Sequence, residues 1–522
     1  MRVGEAVIEA LAGRGVELVF GIPGVHTIEL YRGLARSGIR AVTARHEQGA
    51  AFMADGWARV SGRPGVCVLI TGPGVTNALT PVAQAHHDSV PLFMLASTTA
   101  RPDAGGGRGP LHDLPDQALL LRSVTAWSRT VTAPEEVATA LAEAWTAMES
   151  GRPRPVHLAL PVDLLDEECE PFPALPSGPR RDAADREEVA RAASLLNEAK
   201  RPLMLLGGGA ADAGIPAAEV GARLDAPIAL TGNANGIVPA SHPLCLGATL
   251  PFGSVQALVA EADVALLVGT ELSEVDVAYS GRPLPLRGRV VRVDADPGQI
   301  YTGVPASVGL VGDAAATLWA LVEHVVDRGG EGVAAARVAS ALAGLEWTSE
   351  SRRHHPWLDA LERALPADRI VALDSTQIAY TGQHYLRAER PRSWLAPYGY
   401  GTLGPAVPMA IGAKLAAPDR PVAAIVGDGG LLFTVAELAT AAELGLALPV
   451  VLWDNRGYGE IRDSFDRAGA PRIGTETTAP DLLAVARGLG CATADAADPG
   501  ALAAAVEAAL EAPGPTVIRV AA

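Results

Sequence analysis

Residues 422–465 constrain the fold of this chain more than any other stretch. Val422–Val426 is a short apolar run rich in branched side chains, the pattern of a buried strand. It stops at Gly427-Asp428-Gly429-Gly430, a turn whose glycines let backbone N–H groups come close to a bound anion. A helical segment follows, with Ala436, Leu438, Ala439, Ala442 and Leu444 as its apolar face, and a second buried strand, Pro449–Trp453, ends at Asp454-Asn455-Arg456-Gly457-Tyr458-Gly459. This strand–turn–helix–strand unit predicts Asp428 and Asn455 at the carboxyl ends of two parallel strands, where α/β sheets bind ligands. One carboxylate, one amide oxygen and one backbone carbonyl form a hard, all-oxygen partial shell suited to Mg²⁺.

The same grammar recurs along the chain. Strand ends are predicted at Val19–Gly24, Ala41–Ala44, Val66–Ile70 and Pro91–Ala96 in a first block. A second block has them at Pro202–Leu206, Pro227–Leu230, Val264–Val268 and Arg289–Val293, and the third block adds Ile370–Leu373. Repeated strands, glycine turns and helices mean α/β architecture, with three doubly wound parallel sheets covered on both faces. The expected domains are residues 1–166, 187–326 and 355–522, joined by a Pro- and charge-rich connection at 167–186 and a Gly/Ala-rich one at 327–353. Gly207-Gly208-Gly209 lacks the spacing of a dinucleotide fingerprint and reads as a tight turn, which argues against a nicotinamide oxidoreductase.

Composition excludes several classes. The formal charge of −17 opposes binding to nucleic acid or anionic membranes. No apolar stretch approaches the roughly 20 residues of a membrane span. Cys67, Cys169, Cys245 and Cys491 are scattered without a CxxC pair, as in a reduced, cytoplasmic protein.

Asn455 lies 27 positions after Asp428, and GDGG followed by a strand-ending Asn at this distance resembles the diphosphate–Mg²⁺ motif of thiamine diphosphate enzymes. Gly-Ile-Pro-Gly at 21–24, Glu47 opening a helix, ITGPGVTN at 70–77 and a middle block complete the resemblance over nearly the whole chain. The chain is similar to the acetolactate synthase and benzoylformate/pyruvate decarboxylase family. The resemblance implies a pyrimidine-binding, a central Rossmann-like and a diphosphate-binding domain. It also implies an active site shared between subunits, with a homodimer as the minimal unit and a homotetramer expected.

By that resemblance Asp428, Asn455 and the carbonyl of Gly457 hold Mg²⁺, and the metal holds the cofactor. Glu47 hydrogen-bonds the cofactor's pyrimidine ring and promotes loss of its C2 proton; by itself it is also a helix-start charge favoured by the dipole. Leu403, in Tyr400-Gly401-Thr402-Leu403-Gly404, matches the bulky residue that bends the cofactor, or is a core leucine. Ser375, Thr376 and Gln377 suit diphosphate contact or capping of the next helix. Thr402, Gly429, Gly430 and Tyr458 are further cofactor contacts.

Departures from the family narrow the choice. Where acetolactate synthases bind FAD, Gly269-Thr270 continues as Glu271-Leu272-Ser273-Glu274-Val275-Asp276, whose acids would repel a diphosphate. FAD is therefore not expected. The catalytic glutamate of pyruvate-type decarboxylases would fall at Ile461, but the acid here is Glu460, where it would attract a cationic group. A glycine-rich loop, Gly105–Gly107, feeds His112 and Gln117, so His112 and His26 become candidate proton relays and Gln117 a candidate catalytic amide.

GIPGVHT, ITGPGVTNALT, GPLHDLPDQ and NRGYGEIRD together are most similar to 5-guanidino-2-oxopentanoate (2-ketoarginine) decarboxylases, which release CO₂ and 4-guanidinobutanal. Glu460 could receive the guanidinium as a bidentate pair, with Ile461 beside it. Alternatively Arg462 or Asp463 neutralises Glu460 on the helix surface, leaving a pocket for a neutral or aromatic 2-oxo acid, or for an acetolactate synthase-like carboligase. A non-catalytic scaffold would have lost Glu47, Asp428 or Asn455, and all three are present.

Overall fold

The computed structural model describes residues 1–104, 108–176, 178, 181–277, 283–330, 332–476 and 480–522. It holds three six-stranded sheets in which all strand pairs are parallel. The first comprises β1 (Leu18–Gly21), β2 (Arg40–Thr43), β3 (Gly65–Leu69), β4 (Leu92–Thr98), β5 (Trp127–Thr130) and β6 (Val156–Pro161), in the order β2-β1-β3-β4-β6-β5. The second comprises β7 (Pro202–Leu206), β8 (Ile228–Leu230), β9 (Cys245–Gly247), β10 (Val264–Val268), β11 (Arg289–Asp294) and β12 (Val308–Val311), in the order β12-β11-β10-β7-β8-β9. The third comprises β13 (Ile370–Leu373), β14 (Trp394–Leu395), β15 (Val422–Gly427), β16 (Pro449–Asp454), β17 (Ala492–Ala496) and β18 (Thr516–Ala521), in the order β14-β13-β15-β16-β18-β17.

In each sheet the chain leaves its first strand to one side and returns on the other. This creates a switch point between β1 and β3, between β7 and β10, and between β13 and β15. Strand carboxyl ends diverge at such a point and leave a crevice for a ligand.

Helices that matter to the site are α1 (Glu47–Ser61), α2 (Leu79–Asp88), α3 (Gln377–Tyr385), α4 (Ala406–Ala416), α5 (Asp428–Thr434), α6 (Glu437–Glu443) and α7 (Gly459–Arg467). The first and third sheets share one apolar core, to which α1 contributes Phe52, Met53 and Trp57 and α4 contributes Met409 and Ile411. Gly56 and Gly412 let the two helices touch backbone to backbone. A Cβ on Gly56 would sit 2.2 Å from the Met409 carbonyl oxygen, and one on Gly412 1.9 Å from that of Met53. The middle sheet has its own core on each face.

Two local readings change. The helix after GDGG is broken in two, α5 and α6, and the buried face of α6 is Glu437, Leu438, Thr440 and Ala441 rather than the alanine stripe. The Gly/Ala-rich connection contains the helices Val333–Ala343 and Ser349–Ala364, and the latter packs on Pro499–Leu510 of the third unit. Among the described residues no helix is long and apolar enough to cross a membrane, and the four cysteines are free.

Candidate active site

The third sheet gathers its polar residues at the ends of β13, β15 and β16, which are neighbours. Asp428 opens α5, is buried, and accepts the Gly457 N–H through Oδ2 at 2.8 Å. Asn455 donates through Nδ2 to Gln377 Oε1 at 3.2 Å. Its Oδ1 then lies 2.6 Å from the Gly457 carbonyl oxygen and 3.3 Å from Asp428 Oδ1. Three oxygens thus face one another with no donor among them. Two arrangements relieve the repulsion: rotation of the amide, which carries Nδ2 to both oxygens, or a cation in their midst. The donor set fits Mg²⁺, which takes a few protein oxygens and completes its shell with water and phosphate. Burial raises the pKa of Asp428 against the N–H groups of Gly457 and Gly429, and a cation would oppose that rise.

Around this cluster lie the other expected contacts. Ser375 Oγ donates to the Thr402 carbonyl at 3.1 Å. Thr376 stands at the N-cap of α3 without a side-chain cap hydrogen bond, so the capping alternative is not realised. Gln377 Nε2 donates to Asp463 Oδ2 at 2.8 Å, and the Tyr458 ring lies against Gly429. Leu403 is half-buried between Gly401 and Gly404, so it is not a core leucine, and Thr402 Oγ1 donates to Gln84 Oε1 at 3.2 Å. The 375–377 and 402–404 segments meet at Asp374, a buried carboxyl that accepts the N–H groups of Ser375 (2.8 Å) and Gly404 (3.0 Å). Burial pushes Asp374 up to about 7.

The first sheet brings a different set to the ends of β1, β2 and β3. Glu47 opens α1 and its buried carboxyl accepts Asn77 Nδ2 at 3.0 Å. The capping of α1 falls to His46, whose Nδ1 accepts the Gln48 N–H, which leaves the Glu47 carboxyl free for another task. His26, in the 3-10 turn Val25–Thr27, meets His112 edge-on with ring centres 5.3 Å apart. The Nδ1 atoms of both rings are buried and without a hydrogen-bond partner among the described residues. Burial, and then His112, lower the pKa of His26. His112 has φ +64°, a backbone region sparsely used by non-glycine residues. Gln117 is buried behind this cluster. Its Oε1 accepts from Thr71 Oγ1 (3.2 Å) and the Gly72 N–H (3.3 Å), and its Nε2 donates to the Ser97 carbonyl and approaches His157 Nε2. Its amide braces the Thr71–Gly72 turn. Gly105–Gly107 lie outside the described residues.

Among the described residues no hydrogen bond or ion pair joins the Glu47 cluster to the Asp428 cluster of the same chain. Side chains around both are exposed and apolar, including Val25 and Leu111 on one side and Leu432, Phe433 and Ile461 on the other. Glu460, in the first turn of α7, is half-exposed and pairs with Arg467 at 2.8 Å. The expected neutralising neighbours are otherwise engaged: Arg462 donates to the Asn455 carbonyl and Asp463 accepts from Gln377. The two additional histidines, His86 and His87, sit in the last turn of α2, where His87 stacks on Tyr400.

Sequence reasoning missed Asp374 as a hub, Gln84 and Asp88 as ties to the 399–404 segment, and Glu437. Asp88 Oδ1 accepts the Gly399 N–H at 2.8 Å and also Asn233 Nδ2, so it touches all three sheets' domains. Glu437 is one of two acids, with Glu443, in the otherwise largely apolar stretch after GDGG, and that was the one available signal for it. In the middle domain, Gly207 and Gly209 press against Gly269, and Gly208 against Asn233, as a tight turn at the switch point. That point opens on a cavity of about 470 Å³ between the domains, lined by Glu271, Asp276 and Asp294, with Glu271 paired to Arg152.

Two strand-end clusters, one acid-bearing and one oxygen-rich, on three such sheets point to one family, and sequence comparison decides it. Residues 1–120 match the thiamine pyrophosphate enzyme N-terminal TPP binding domain, residues 189–321 the central domain and residues 374–520 the C-terminal TPP binding domain. This chain belongs to the thiamine diphosphate enzymes. Within that family it is 44% identical over 498 residues to the "Probable 2-ketoarginine decarboxylase AruI" of Pseudomonas aeruginosa, covering 94% of this chain and 89% of that one. It is 30% identical over 528 residues to the acetolactate synthase isozyme 1 large subunit of Escherichia coli, covering 99% and 93%. Its fold matches the X-ray structure of "a putative thiamin diphosphate-dependent enzyme" from Mycobacterium smegmatis with a TM-score of 0.86 at 26% identity, over 100% of this chain and 99% of that one.

Proposed function

We propose that this thiamine diphosphate enzyme decarboxylates a 2-oxo acid without oxidation, using Mg²⁺, and that its preferred substrate is 5-guanidino-2-oxopentanoate. The carboxylate leaves as CO₂, a proton takes its place, and the product is 4-guanidinobutanal. The meeting of Asp428, Asn455 and the Gly457 carbonyl at the neighbouring ends of β15 and β16 supports the reading of the cofactor site. The substrate rests on likeness to AruI and on Glu460.

In this account Asp428, Asn455 and the Gly457 carbonyl would hold the metal, while Ser375, Thr376, Gln377, Thr402, Gly429, Gly430 and Tyr458 would hold the diphosphate end, and Leu403 would pack against the cofactor. When bound, thiamine diphosphate supplies a nucleophilic carbon and an electron sink for the departing carboxylate. Glu47, whose buried carboxyl accepts Asn77 Nδ2, would hydrogen-bond the pyrimidine ring. His26 is neutral near pH 7 because its burial disfavours the cation, so its unpartnered Nδ1 can accept a proton and pass it between water, His112 and substrate. Gln117 keeps the Thr71–Gly72 turn in place beneath His112.

Glu460 would receive the substrate guanidinium in exchange for Arg467, one guanidinium replacing another. An exposed pair of this kind is weak because water screens it, so the exchange is not costly. A second copy of the chain would cover Val25, Leu111 and Phe433 and bring a Glu47 cluster to an Asp428 cluster, making a homodimer the smallest active unit and a homotetramer a pair of these.

Steady-state aldehyde formation from 2-ketoarginine, pyruvate, benzoylformate and 2-oxoisovalerate tests the substrate. A kcat/KM for 2-ketoarginine at least about tenfold above the others is expected. Preference for pyruvate, with acetolactate as product, would replace this reading with carboligation.

A further inference from the structure

Glu437 is the first residue of α6 and is fully buried, yet it takes no part in the strand-end cluster of its own sheet. Its carboxylate reaches into the first domain. Oε1 accepts the His46 N–H at 2.9 Å and the Arg45 N–H at 3.1 Å, and Oε2 accepts Thr440 Oγ1 at 2.7 Å. Arg45 and His46 are the two residues that lead directly into Glu47. The fit is close: a Cβ on Gly49 would lie 2.1 Å from Glu437 Oε1, so only glycine admits the carboxylate there.

A buried carboxyl is costly unless it is well hydrogen-bonded. The nearby guanidinium of Arg45 is not what holds it, because that group turns away to the Thr43 carbonyl and to Glu443. Burial accordingly raises the pKa of Glu437 against the hydrogen bonds of Thr440, Arg45 and His46. Nor is Glu437 a helix cap. The backbone donors it engages, Arg45 and His46, precede α1, and the first-turn N–H of Gln48 already has the His46 ring as partner. What Glu437 fixes is the turn from which Glu47 projects.

We infer that Glu437 is a positioning residue for Glu47, setting from the third domain the place at which the Glu47 carboxyl meets the cofactor ring. This rests on the reading of Glu47 given above, and the test separates the two. A displacement of about 1 Å at a reacting group costs up to roughly a hundredfold in rate. Holoenzyme loaded with thiamine diphosphate and Mg²⁺ is moved into D₂O without substrate. Exchange of the cofactor's C2 hydrogen is then followed by acid quench and NMR, alongside calorimetric cofactor affinity, for the wild type, Glu47→Gln, Glu437→Gln and Glu437→Asp.

For Glu437→Gln the expected result is exchange slowed at least about tenfold, kcat reduced in parallel, and cofactor affinity and KM for the 2-oxo acid within about threefold of wild type. Glu437→Asp, which keeps the charge but shortens the reach, should fall between and serves if the Gln variant does not fold. Wild-type exchange per bound cofactor in both variants would overturn the proposal while leaving Glu47 intact. Wild-type exchange in Glu47→Gln would overturn the reading of Glu47 and this proposal with it.

Discussion

The first and third sheets have the same topology: numbered within each sheet, the strands run 2-1-3-4-6-5 in both. Their strand ends nevertheless carry different chemistry. The first presents one buried acid, Glu47, and two imidazoles with unpartnered Nδ1 atoms, a set that handles protons. The third presents a carboxylate, an amide, a carbonyl and glycine turns, a set suited to a cation and an anion. The middle sheet follows the order 3-2-1-4-5-6 read from one edge, and its switch point is walled by acids and arginines, among them Glu271, Asp276, Asp294, Arg152 and Arg392. Topology therefore locates three crevices, but the residues immediately after each strand decide what each can do.

The comparison breaks most readily at Glu47. Glu47→Gln should lower kcat by roughly 10²–10⁴-fold, the usual contribution of a positioned proton-transfer group, while calorimetry finds cofactor binding within a fewfold of normal. Asp428→Ala should do the converse. Loss of a charged contact worth about 1.5–3 kcal/mol weakens cofactor binding roughly 10- to 150-fold in the presence of Mg²⁺, and saturating cofactor should restore much of the rate. Equal effects of both substitutions on rate and affinity would erase the division of labour between the sheets.

Much of this division was legible in the chain itself. Asp428, Asn455 and Glu47 each follow a short apolar run, and strand ends of that kind need only local pattern to be found. Edge strands such as β5 (Trp127–Thr130) and β17 (Ala492–Ala496) carry no such run, because a strand with one neighbour and partial exposure need not be apolar. Glu437 was hidden for a different reason. Its partners, Arg45 and His46, lie more than 390 positions away, and no periodicity within α6 reports a hydrogen bond across that distance. Arg467 was missed as the partner of Glu460 because local helix rules favour neighbours three or four positions apart, and it stands seven away.

Smaller effects sharpen the picture. Glu460→Gln should raise KM for 2-ketoarginine up to about fivefold and leave neutral 2-oxo acids unaffected, the scale of an exposed ion pair. The two sheets should also differ in how pH affects stability. His157, buried behind Gln117 with its pKa lowered to about 3, is neutral in the folded protein and takes up a proton on unfolding. Its contribution is present above pH 6.5 and is lost as pH falls toward 3. Asp374 is held near 7, so its contribution is present below pH 4 and is lost as pH rises toward 7. In cofactor-free protein, thermal melts across pH 4–8 should show His157→Gln flattening the acid limb and Asp374→Asn the limb above pH 4, each by a few degrees.

The most direct test of the shared site is a calorimetric titration of metal-free protein with thiamine diphosphate, in EDTA and again with Mg²⁺. The oxygens of Asp428, Asn455 and Gly457 predict tight binding with Mg²⁺, little or none in EDTA, and loss of the Mg²⁺ dependence in Asp428→Ala. Binding of equal strength with and without the metal, or unchanged by Asp428→Ala, would contradict the account.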